Sequence, residues 1–78
     1  MFEPGQFYSR EWAILSGDFL IPRDTPLFCI RAFDNGTMFG ITFLYSEKIY
    51  TFRDTSFSLV HWRDAETNEL VTANDINL

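Results

Sequence analysis

The chain is short of nearly everything that metal, redox or phosphate chemistry requires. Its 78 residues include one cysteine, one histidine and four scattered glycines. A lone Cys29 makes no internal disulfide and no cysteine-based metal cluster, which fits a reducing compartment. The glycines form neither a phosphate-cradling loop nor a dinucleotide fingerprint. One lysine and five arginines, in no run, are too few to neutralise a phosphate backbone, so direct nucleic-acid binding is not expected. No apolar run is long enough to span a bilayer and no basic-then-apolar leader opens the chain, so no membrane partner and a cytoplasmic location are expected. A chain of this length has room for one domain, 1–78, which buries roughly 60% of its unfolded surface. Little core is left to enclose a cofactor, and none is expected.

What the sequence does hold is aromatic residues and acids. Nine Phe, three Tyr and two Trp make 18% of the chain, and 11 acids oppose 6 bases for a formal charge of −5. The excess is local: residues 64–78 carry Asp64, Glu66, Glu69 and Asp75 with no base. The three prolines all precede residue 27, and no repeat or linker divides the chain.

These patterns specify a mainly β fold, either a small antiparallel meander or an SH3-like barrel. Residues 27–33 and 38–45 are two β-prone runs around Asn35-Gly36, the strongest short hairpin signal, because both central residues of a type I′ turn need positive φ. That turn sets Phe33 opposite Met38, Ile30 opposite Ile41 and Phe28 opposite Phe43. A second turn at Glu47-Lys48 leads into strand 49–54 and places Phe52 opposite Phe43, giving an aromatic row of Phe28, Phe43 and Phe52 on one apolar face. A further hairpin is expected between 57–63 and 69–73. Over 6–15 the apolar spacing suits a short helix ended by Gly17, with a hairpin turning at Ser16-Gly17 as the alternative.

Catalytic constellations are sparse. His61 in a strand is most simply a hydrogen-bonded structural residue, and Cys29 in mid-strand lacks the helix N-terminus that would lower a thiol pKa. Asp64, Glu66 and Glu69 fall in a turn with no walls to raise a carboxyl pKa and no calcium- or zinc-loop spacing, so no metal is expected. The other strand face gathers Leu27, Phe33, Met38 and Leu44 beside Arg31 and Arg53. Either the N-terminal segment or barrel closure covers it, or it is an interface.

The expected function is therefore a non-enzymatic protein-interaction module. Its partner is a larger protein with a basic surface, one that itself binds nucleic acid in the sharper version, and its contact residues are Asp64, Glu66, Glu69, Asp75, Trp62, Phe33, Arg31 and Arg53. Phage-encoded inhibitors of host or defence proteins, anti-CRISPR proteins among them, are similar in size and charge alone. The alternatives are a structural protein that self-associates through open strands and, weakest, a small enzyme or ligand-binding barrel built on His61.

Overall fold

Positive-φ residues place the turns, and the turns place the strands. The computed structural model describes residues 2–71. Ser46 and Glu47 both adopt left-handed φ, 53° and 66°, as a tight two-residue hairpin requires. They join β5 (Met38–Tyr45) to β6 (Lys48–Thr55), setting Tyr45 opposite Lys48, Phe43 opposite Tyr50 and Ile41 opposite Phe52. The turn thus lies one residue before the expected Glu47-Lys48 loop. Every partner moves by two, which changes the pairs and keeps the face.

The preceding turn is corrected in the opposite direction, lying one residue after the expected Asn35-Gly36 loop. Asn35 N–H donates to the Met38 carbonyl at 3.1 Å, so Gly36 and Thr37 are the central residues, and only Gly36 has positive φ (90°). Asn35 instead spends its side chain on the loop, its Oδ1 accepting from the N–H groups of Thr37 (3.0 Å) and Met38 (2.9 Å). In β4 (Leu27–Asp34), Phe33 consequently faces Gly40 and Ala32 faces Ile41. A register shift between Cys29 and Arg31 then turns the strand over, so that Leu27 and Cys29 enter the core and Phe28 points away. The expected row of Phe28, Phe43 and Phe52 does not form. Cys29, Phe43 and Tyr50 make one inner row, and Ala32, Ile41 and Phe52 the next.

The N-terminal segment is strand, not helix. β1 (Phe7–Arg10) pairs with β4 on one side and with β7 (Trp62–Asp64) on the other, so backbone pairing on both edges overrides a locally helical spacing. β2 (Ile14–Ser16) and β3 (Phe19–Ile21) form the alternative hairpin, which lies over the inner face with Phe19 stacked on Tyr50 at 4.3 Å. The strand expected over 57–63 is also corrected. Ser56–His61 is a 3-10 helix whose period of three sends Leu59, and then Trp62 just after it, into the core. Of the hairpin expected with 69–73, one bridge between Arg63 and Leu70 is present; residues 72–73 lie outside the described chain.

The result is a five-stranded antiparallel sheet in the order β6-β5-β4-β1-β7, with the β2-β3 hairpin apart. No pairing joins β6 to β7 among the described residues. Trp62, 0% exposed, sits at the centre of the core, with the rings of Phe2, Phe52 and Phe39 at 5.2, 5.7 and 6.3 Å. No helix of the described residues is long and apolar enough to cross a membrane.

Candidate functional site

The acidic end of the sheet is built around Asp64. At the end of β7, its Oδ1 accepts the N–H groups of Glu66 (2.8 Å) and Thr67 (3.0 Å), while its carbonyl accepts from Asn68 N–H and its own N–H donates to the Glu69 carbonyl, both at 2.8 Å. Asn68 completes the loop at a φ of 65°. The bonds from Thr67 and Glu66 hold the Asp64 carboxyl below the usual carboxylate range. Asp64 therefore organises the loop, and the carboxylates of Glu66 and Glu69 extend from a backbone that is already ordered.

Glu69 and Asp64 also line a cleft of about 370 Å³ with Glu3, Tyr8, Leu70 and Val71. The Glu3 N–H donates to the Tyr8 hydroxyl at 2.7 Å, tying the N-terminal segment to this rim. Burial pushes the Tyr8 phenol up, so the hydroxyl stays neutral. Three acidic residues around this largely polar cleft suit the charged head of a lysine or arginine side chain. Among the described residues no group of three or more His, Cys, Asp or Glu is placed to hold a metal ion.

The outer face of the sheet is of opposite character. Phe7 pairs with Phe28, Phe28 with Leu44 and Leu44 with Ile49, a continuous apolar row over four strands that ends in Leu44 at 41% and Ile49 at 65% exposure. Beside it Arg31 pairs with Thr42 and Thr42 with Thr51, whose hydroxyls lie 3.0 Å apart. In the next row the Phe33 ring lies over Gly40, where a Cβ would overlap it, and Arg53 follows on β6. Since β1 belongs to the sheet itself, the N-terminal segment does not cover this face, contrary to the covered arrangement considered from sequence.

His61 is part of a clasp. Its Nδ1 lies 2.7 Å from Glu11 Oε2, Trp12 stacks on its ring at 3.8 Å, and Arg63 Nη2 stands 3.7 Å from Glu11 Oε1. The bond to His61, and after it the charges of His61 and Arg63, hold the Glu11 carboxyl below its usual range. Glu11 N–H also donates to the His61 carbonyl at 2.8 Å. Arg10 braces the same corner, donating to the Ala13 carbonyl at 2.9 Å with its guanidinium 4.8 Å from the Phe52 ring centre. Cys29 is fully buried, and burial pushes its thiol up. The arrangement fastens the β1-β2 connection to the end of the 3-10 helix.

The candidate residues therefore separate into groups. Asp64, Glu66 and Glu69 share the β7 end; Phe33, Arg31 and Arg53 share the outer face; Asp75 lies outside the described residues. Trp62 is corrected from contact residue to core, since its position three residues after Leu59 points it inward and the ring has no surface to offer. Sequence reasoning missed Glu3 at the acidic cleft, which only pairing of β1 with β7 brings near Asp64. It also missed the place of Phe28 in the outer row, because the register shift after Cys29 has no local signature. Phe57, 89% exposed, was assigned to a strand face and stands instead on the outside of the 3-10 helix. Comparison with known protein families, characterised proteins and solved structures returns no match.

Proposed function

We propose that this chain is a non-enzymatic protein-interaction module that engages a basic site on a larger protein through its acidic β7 end. The observation that carries the reading is the loop held by Asp64, which presents Glu66 and Glu69 without further ordering beside a cleft rimmed by Glu3. A preordered loop loses less conformational entropy on binding, and clustered carboxylates steer encounter with a cationic partner. In its sharper form the carboxylates stand in for nucleic-acid phosphates, and the module acts as an inhibitor of a nucleic-acid-binding protein.

The test is affinity capture with the full chain, comparing it with a variant carrying Glu3→Gln, Glu66→Gln and Glu69→Gln. Captured partners are expected to be basic, to fall away with added salt, and to be lost by the triple variant, whose melting transition stays close to that of the parent. A captured set unaffected by the substitutions overturns the acidic-end reading. Competition by added nucleic acid for the same captured protein separates the mimic from a module that binds elsewhere on it.

A further inference from the structure

The rim of β6 carries hydrogen-bonding groups that nothing among the described residues uses. A two-residue turn makes Tyr45 and Lys48 the first bonded pair, so Lys48, Tyr50, Phe52 and Asp54 bond to β5 while Ile49, Thr51 and Arg53 turn their N–H and C=O groups outward. β6 is the last strand of the sheet, and among the described residues no other backbone bond reaches these three. Sheets commonly guard such an edge with charged side chains, proline, a bulge or a covering segment, and β6 carries charges at Lys48, Arg53 and Asp54. β6 contains no proline, pairs without a register shift, and has no fully buried residue.

The strand is also complementary to itself. Aligned antiparallel about a two-fold axis at Thr51, it places Lys48 opposite the partner's Asp54, Ile49 opposite the partner's Arg53, and Tyr50 opposite the partner's Phe52, each relation occurring twice. The outward groups of residues 49, 51 and 53 then meet one another, and Lys48 and the partner's Asp54 fall at a non-bonded pair, where side chains approach most closely. Sliding by two residues sets Lys48 against the partner's Phe52 or the partner's Ser56 instead. Tyr50 is already braced by Phe19, which stacks on it at 4.3 Å.

We propose that β6 pairs with β6 of a second copy of this chain in that register, joining two five-stranded sheets into one. The other edge does not repeat the contact. There the Val71 N–H donates to the Trp62 carbonyl at 3.1 Å and Leu70 bridges Arg63, so association closes at two copies and does not extend into a fibre. The proposal uses none of the residues of the acidic end and stands independently of that reading.

Sedimentation equilibrium on the full chain, with circular dichroism to check folding, tests it. The parent is expected to show a reversible dimer of the 9.2 kDa chain. Lys48→Asp and Asp54→Lys each set like charges opposite one another twice and are expected to weaken self-association by roughly tenfold or more. An equimolar mixture of the two variants restores opposite charges at both ends and recovers the dimer, as does the double reversal in one chain, which leaves the net charge of −5 unchanged. Thr51→Pro removes the central outward N–H, which the monomer does not use, and is expected to give a folded monomer. A parent that is monomeric at high micromolar concentration overturns the proposal, and so does a dimer indifferent to both charge reversals.

Discussion

The two edges of the five-stranded sheet are finished in opposite ways. β7 is three residues long, its free side is bonded by Leu70 and Val71, and its Trp62 stands at the centre of the core. β6 is eight residues long, pairs without a register shift, and among the described residues is bare along its outer side. Glu3, Asp64, Glu66 and Glu69 gather at the closed edge, while Lys48, Arg53, Asp54 and the exposed Ile49 stand at the open one. A small sheet cannot enclose all its aromatic residues, and here it concentrates packing at one edge while leaving apolar surface at the other.

The largest test of this contrast is packing. Trp62→Ala should destabilise the fold by about 3–5 kcal/mol, as truncation of a fully buried tryptophan does. Phe52→Ala, at a half-buried position on β6, should cost clearly less. Denaturant unfolding of both variants measures the difference, and equal losses would mean that the open edge is as firmly packed as the closed one.

A smaller effect belongs to the outer face. Gly40→Ala introduces a Cβ where the Phe33 ring lies and should cost about 1 kcal/mol as the ring swings outward. In a Phe33→Ala background the same substitution should cost almost nothing, because the overlap is gone. A double-mutant cycle by thermal melting reads that coupling.

The smallest concerns pH. Glu11 and Asp64, beside the two ends of β7, have carboxyl pKa values lowered in the folded chain. Their contribution is complete above the ordinary carboxylate range and is lost as pH falls through their lower folded values. Protection of the Glu66 and Thr67 amides, relative to their intrinsic exchange rates at each pH, should therefore fall in acid before protection in the β4-β5-β6 meander does. Asp64→Asn should flatten that acid response, and a uniform loosening of the whole sheet would show that the two edges are not separately controlled.

Much of the meander was readable because turn residues and alternation are local. Asn35-Gly36 and Ser46-Glu47-Lys48 marked both turns to within one residue, and the inner-face assignment of Phe39, Ile41, Phe43 and Phe52 follows from period two. The turn that forms depends on which side chain bonds which amide, as Asn35 does with Thr37 and Met38, and propensity does not resolve that choice. The 3-10 helix escaped notice because Phe57, Leu59 and His61 alternate as a strand would. Their actual period of three appears only when Leu59 and Trp62 share a core.

The sequence by itself determined an antiparallel β-rich chain, its strongest hairpins and the concentration of acid after Arg63, since each depends on neighbours a few residues apart. Tertiary structure alone decided that residues 7–10 become a strand, that Glu3 joins Asp64 and Glu69, that Trp62 is enclosed, and that β6 is left as an edge. Those outcomes depend on which distant backbone supplies each hydrogen bond, and long-range pairing leaves no periodic trace in the chain.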